Sequence, residues 1–204
     1  MARPFAEITF TAPVKAAQER YGSRRMNQRF EEMEGAPDLI SAPERAFIEA
    51  RDGFYQATTN SDGWPYVQFR GGRRGFLKVL DSRTIGYADF RGNVQYISVG
   101  NLADNDRVAL ILMDYANQRR LKIWGRARLV HEEENPVLLK QLQDPTYRAK
   151  VERAVVISIE AMDWNCPQHI TPRYTEAEVQ VAVKPLQDRI KELEALVANN
   201  AKVS

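Results

Sequence analysis

At residue 53 the apolar spacing of this chain changes from a helical period to a strand-like alternation. Segments 54–59 and 65–70 flank Asn60-Ser61-Asp62-Gly63-Trp64, where Asp-Gly supplies the positive-φ position of a hairpin turn. Segments 75–80 and 84–88 make a second pair around Asp81-Ser82-Arg83, and 107–114 and 120–131 a third. A long strand follows over 151–161. Strands joined by hairpin-length turns, without regular alternation with long helices, predict an all-β core with peripheral helices, built as an antiparallel split β-barrel. Closure of that barrel would remove exposed edges around the apolar run 108–113.

Helices flank and interrupt this core. Pro13 suits a first helical turn, Val14, Ala17 and Tyr21 return on one face, and Gly22-Ser23 stops the pattern. Ser41 followed by Glu44 reads as a capping box for a helix whose apolar side is Phe47 and Ile48. Short helices are expected over 94–102, capped by Asn93, and over 133–142. Near the end, Val179, Val183, Leu186, Ile190, Leu193 and Val197 recur at spacings of 4, 3, 4, 3 and 4. Both a coiled-coil seam and an amphipathic helix laid on its own barrel fit that pattern. Pro185 argues for a helix that starts late and docks Leu186, Ile190, Leu193 and Val197 on protein. Three regions result: a helical extension over 1–42, a barrel over 43–172 and an amphipathic helix over 173–204.

Composition narrows the classes. With 29 Lys plus Arg against 27 Asp plus Glu, the charge is too balanced for a dedicated nucleic-acid binder. Lone Cys166 forms no intrachain disulfide, and two His are too few for a His-rich metal centre. The longest apolar run is six residues and no signal-like segment opens the chain, so a cytoplasmic protein without membrane contact is expected.

Chemistry concentrates between residues 68 and 101. Gln68-Phe69-Arg70-Gly71-Gly72-Arg73-Arg74-Gly75 ends one strand, and Asp89-Phe90-Arg91-Gly92-Asn93 ends another. Arg70, Arg73, Arg74, Lys78, Arg83 and Arg91 outnumber Asp81 and Asp89 there, and guanidinium forks beside glycines suit a phosphate on a flat ligand. A solvated basic hairpin rim explains the same composition. Aromatic residues interleave at Tyr66, Phe69, Phe76, Tyr87, Phe90 and Tyr96, but the basic stretch is short for a single-stranded nucleic acid and fits one cofactor better. A loop at 164–172 carries Trp164, Cys166, Gln168 and His169; no third residue orients a Cys166–His169 nucleophile pair.

The segments Phe69 to Phe76, Leu80 to Thr84, Asp89 to Asn93, Asn101-Leu102, Val108-Ala109-Leu110 and Gly125 to Leu129 resemble, in order and spacing, the pyridoxamine 5'-phosphate oxidase-like family of FMN-binding split-barrel proteins. Trp164-Asn165-Cys166-Pro167-Gln168-His169-Ile170 resembles a closing motif of one branch of that family. The resemblance implies a homodimer with FMN in clefts between subunits. It implies phosphate-side ligands at Arg70 and Arg91, support from Asn93 and Gln95, and a flavin-ring contact at Gln68. The partner subunit would add Gln118, Arg120, Trp164 and Gln168. NADH, NADPH or a small redox substrate would exchange electrons with the flavin. Arg73-Arg74 makes the mouth more basic than usual, and the segment after Asn93 lacks an arginine common there. The carboxy-terminal signature of genuine pyridoxamine phosphate oxidases is absent, which argues against vitamin B6 oxidation. The implied function is an FMN-dependent oxidoreductase, and a non-enzymatic module binding flavin, haem or another planar ligand stands beside it.

Overall fold

A computed structural model describes residues 3–32, 38–164 and 167–201, with side chains through residue 199. The chain forms two compact units, Met1–Asp114 with Arg119–Pro167, and Tyr115–Gln118 with Gln168–Ser204.

In the first unit, α1 (Pro4–Thr9), α2 (Ala12–Arg20), α3 (Arg24–Glu32) and α4 (Ala42–Glu49) precede the sheet. Helix α4 begins where Glu44 reaches back to the Ser41 N–H at 3.2 Å, the reciprocal half of a capping box. Its Phe47 and Ile48 are buried in the main core. The sheet follows as β1 (Gly53–Thr59), β2 (Pro65–Gly71), β3 (Lys78–Val79), β4 (Thr84–Phe90), β5 (Arg107–Asp114), β6 (Arg119–Val130) and β7 (Val151–Trp164). Helix α5 (Ile97–Asp104) lies between β4 and β5, and α6 (Pro136–Leu142) between β6 and β7.

All paired strands are antiparallel, in the order β2-β1-β5-β6-β7-β4-β3. This order has two ends, β2 and β3, and among the described residues no ladder joins them, so the sheet is antiparallel as expected and is not closed. The apolar run in β5 needs no closure to protect it, because β1 and β6 pair with it on both sides. The second predicted hairpin shrinks to two residues in β3, because Phe76 and Leu77 go into the core outside any strand.

Strand β7 is buried on both faces. Val155, Ile157 and Ile159 join the main core, while Ala154 and Val156 join a smaller cluster with Leu139 and Leu142 of α6. This is why 154–157 reads as a short apolar run, with alternation resuming at Ser158 and Glu160. Asn135, not residue 133, starts α6, accepting the Leu138 N–H at 2.9 Å. The β1–β2 turn is as predicted: Gly63 has φ +86°, and Asn60 Oδ1 accepts the Trp64 N–H at 2.8 Å.

The second unit contains α7 (Glu176–Ala201). The expectation of a late start near Pro185 is corrected. Thr175 and Glu178 form a capping box, with Glu178 accepting the Thr175 N–H at 2.8 Å and the Thr175 hydroxyl accepting the Glu178 N–H at 3.3 Å. That cap starts the helix upstream, and Pro185 is carried inside it. Leu186, Ile190, Leu193 and Val197 are exposed.

Candidate functional site

The ends of β2, β4 and β7 meet around one charged cluster. Edge strand β2 places Tyr66, Gln68 and Arg70 on one face, and leaves Val67 and Phe69 exposed on the other. Arg70 Nη1 donates to Asp89 Oδ1 of β4 at 2.6 Å, and Arg153 Nη1 of β7 donates to the other carboxylate oxygen at 2.9 Å. Strands β2 and β4 lie near opposite ends of the hydrogen-bonded order, so the sheet curls far enough for their side chains to touch. The side chains are 13%, 5% and 11% exposed for Arg70, Asp89 and Arg153. Arg153 also pairs with Glu152 at 2.8 Å, and Glu152 lies 3.8 Å from the Arg91 guanidinium. Three arginines thus face two carboxylates, and only Arg91, 52% exposed, stands in solvent.

Two adjoining cavities share Gln68, Arg70, Asp89, Phe90 and Gly92 as walls. One, of about 40 Å³, is completed by the segment 92–99 and by Glu152 and Arg153. The other, of about 250 Å³, is completed by Phe76, Tyr87, Arg91 and Tyr147, among others. Neither reaches the roughly 300–1,000 Å³ usual for an enclosed cofactor pocket. The cavities are therefore suited to enclosing part of a larger ligand.

The segment after β4 departs from expectation. Asn93 does not cap a helix beginning at Val94; its Oδ1 accepts the Gln95 N–H at 3.2 Å, and its amide donates to the Gln95 side chain at 3.1 Å. Val94 and Tyr96 have φ of 55° and 53°, and the left-handed Tyr96 delays the start of α5 to Ile97. Such a conformation costs a non-glycine residue about 1–3 kcal/mol and is worst for β-branched Val94. The Tyr96 hydroxyl, bonded to Glu152 at 3.0 Å, helps hold the segment.

Two separate side-chain pairs add polar contacts to this region. Tyr87 donates to Gln56 Oε1 at 2.7 Å, and Ser98 donates to Gln68 Oε1 at 3.0 Å. Burial pushes the Tyr87 phenol well above its ordinary pKa, so it stays protonated. Gln56 Nε2, Arg70 Nε and Arg153 Nε are buried without a hydrogen-bond acceptor.

Of the predicted residues, Gln68, Arg70, Asn93 and Gln95 line the first cavity, and Arg91 with Gln68 and Arg70 lines the second. Trp164 stands elsewhere: its indole N–H donates to Glu44 at 3.0 Å, its ring meets Phe47 edge-on, and the Arg119 guanidinium lies 4.7 Å over it. Arg120 is the second residue of β6, paired with Met113 in the ladder. Gln118 and Gln168 belong to the second unit, where Gln118 donates to the Ile170 carbonyl at 2.7 Å and Gln168 is exposed. Asn165 and Cys166 lie outside the described residues. Among the described residues no group of three His, Cys, Asp or Glu suits a metal ion, and no helix is long and apolar enough to cross a membrane.

Sequence reasoning missed Arg153 and Glu152. An Arg standing immediately before the apolar run 154–157 was the available signal, since a charge inside a buried strand demands a partner.

Comparisons with known proteins bear on this arrangement. No curated protein matches the chain in sequence. HupZ from Group A Streptococcus is 17% identical, covers 66% of this chain and 99% of its own, and superposes with a TM-score of 0.50, a likeness of fold. A putative pyridoxamine 5'-phosphate oxidase from Lactobacillus delbrueckii is 19% identical over 62% of this chain and 94% of its own, with a TM-score of 0.48. An FMN-binding protein from Syntrophomonas wolfei is 14% identical over 76% and 98%, also at 0.48. The family model for pyridoxamine 5'-phosphate oxidase matches residues 40–164, which run from the residue before the α4 cap to the last residue of β7 and span well over half of the chain. The chain therefore belongs to the pyridoxamine 5'-phosphate oxidase family.

Proposed function

We propose that the chain binds FMN with its phosphate at the mouth formed by Arg70, Arg91 and Arg153, and acts as a flavin-dependent oxidoreductase. The observation that carries this reading is the gathering of Arg70 of β2, Arg91 just past β4 and Arg153 of β7 on two adjoining cavities, Arg70 lining both, inside the segment matched by the family. The donor set fits a phosphate. Arg91 is mostly exposed and held by one loose contact at 3.8 Å, so it can turn to an anion at little cost. Arg70 and Arg153 are tied to Asp89 and supply field more than free donors. Gln68, anchored by Ser98, offers its amide to the ring side. When bound, the flavin would supply hydride or electron transfer, with NADH, NADPH or a small molecule as the other partner.

The cavities' small volumes support a ligand completed by a second copy, so we propose a homodimer with Gln118, Arg120, Trp164 and Gln168 on the partner side. One observation favours a second reading, a binding module without turnover. The carboxylates nearest the arginines are paired with them, and the buried Tyr87 phenol holds its proton too tightly to be a useful acid.

Titration of the purified chain with FMN and with riboflavin, followed by flavin fluorescence, tests the reading. FMN binding should exceed riboflavin binding, and Arg91→Ala should weaken FMN about 10- to 150-fold, the worth of a charge-assisted hydrogen bond, while leaving riboflavin unchanged. Failure to bind FMN refutes the assignment. Reduction of the bound flavin by NADH or NADPH with a turning-over acceptor selects the oxidoreductase, and binding without it selects the module.

A further inference from the structure

Helix α7 carries an apolar seam that the chain itself leaves open. Val183, Ile190 and Val197 occupy one heptad position, and Val179, Leu186 and Leu193 the other. Leu186, Ile190, Leu193 and Val197 are 65%, 54%, 45% and 70% exposed. Ile190, Leu193, Val197 and Ala198 form one continuous apolar face of the helix with Glu194 beside it. A seam of this kind is self-complementary, because an identical helix offers the knobs that its own holes accept.

We propose that α7 pairs with α7 of a second copy of this chain as a parallel two-stranded coiled coil. Three features select this occupant. β-Branched residues at every first core position, with Leu186 and Leu193 at the second, favour two parallel strands over higher assemblies. Arg189 precedes the core residue Ile190, and Glu194 follows the core residue Leu193. In a parallel pair these flanking positions face each other across the seam, giving opposite charges on both sides. An antiparallel pair would set like position against like and offer neither residue an opposite charge. Arg189 is otherwise engaged only in an exposed contact with Glu192 at 2.9 Å, which costs little to exchange. Pro185 falls at an outward position two residues past Val183, so it does not interrupt the seam. The proposal is independent of flavin binding.

Disulfide trapping in the full chain, in a Cys166→Ser background, tests register and direction. In a parallel pair each core residue meets its own copy, so Ile190→Cys and Leu193→Cys should give disulfide-linked dimers at least about tenfold faster than Asp188→Cys on the outer face, through raised effective concentration. Arg189→Glu should slow disulfide trapping at Ile190→Cys, and adding Glu194→Arg should restore it. Equal trapping at position 188, or none at 190 and 193 in chains of unchanged helicity, overturns the pairing. Trapping only between mixed Val183→Cys and Leu193→Cys chains, which an antiparallel pair sets in one core layer, overturns the direction.

Discussion

Replacing Asp89 with asparagine separates two roles of the charged cluster. The carboxylate joins Arg70 at 2.6 Å and Arg153 at 2.9 Å, and both guanidinium side chains are nearly nine-tenths buried. Removing one partner of a buried ion pair typically costs about 3–5 kcal/mol, because the remaining charge is left uncompensated. Asparagine retains one acceptor oxygen, and Glu152 still holds Arg153 at 2.8 Å, so Asp89→Asn falls near the lower end, about 3 kcal/mol. For a chain of this length that corresponds to a Tm lower by about 6–12 °C. The same change frees Arg70 toward an anion and adds a positive charge to the mouth, worth about 1 kcal/mol and so roughly fivefold tighter FMN binding. Thermal unfolding by circular dichroism and FMN titration should therefore move in opposite directions. A Tm within about 3 °C of the parent refutes the structural role of the cluster, since that shift is only about 1 kcal/mol. A loss of stability accompanied by weaker FMN binding refutes the competition between Asp89 and phosphate.

Glu44 serves both the α4 cap and the Trp164 indole, so Glu44→Ala should cost about 1–2 kcal/mol in urea unfolding. Burial raises the Glu44 pKa, but hydrogen bonds from Ser41 and Trp164 outweigh it and leave the net value lowered. The contribution is accordingly full above the ordinary carboxylate pKa and should vanish as pH falls through the lowered value. A Cβ at Gly125 would lie 2.4 Å from the Ser158 carbonyl oxygen and 2.9 Å from the Ile157 side chain, opposite the bulge in β7 where Glu160 has no partner in the ladder. Gly125→Ala should therefore destabilise by about 1–3 kcal/mol or more, read by thermal unfolding. Burial raises the Asp163 pKa against the pull of Arg3 and Lys122. The folded state then holds its proton longer than the unfolded state, and stability falls as pH rises from the ordinary aspartate value to the raised one. The difference in stability between Asp163→Asn and the parent should change across that window and stay flat above it.

The strands were legible where one face is buried and the other wet, as in β1, whose Phe54, Gln56 and Thr58 alternate with more exposed neighbours. The order of those strands was not, because it depends on pairings such as Asp89 with Arg153 that no local pattern encodes. The two arginines that frame the mouth were visible as Arg-Gly pairs, but their free and paired states were not. Arg70 reads like Arg91 in sequence, and only the curled sheet brings it to a carboxylate. Asn93 has the composition of a helix cap, and the left-handed Val94 and Tyr96 that postpone the helix carry no local signature, being residue types that disfavour that conformation. At α7 the readable signal was outweighed wrongly: Pro185 drew the boundary inward, although the Thr175–Glu178 cap stood upstream in the sequence.

The place of β7 between β6 and β4 sets a schedule for synthesis. The hairpin of β3 and β4 leaves the ribosome with β4 unpaired on its far side, since its only other neighbour in the ladder is β7. At about 5–20 residues per second, the roughly 60 residues between the end of β4 and the start of β7 impose a wait of about 3–12 s. Arg70 and Asp89 are made early, but Arg153 arrives on the last strand to emerge. A chain stopped at residue 150 would thus lose the joint between its two groups of strands rather than a dispensable margin, and would leave Ile85 and Tyr87 beside an edge open to other nascent chains.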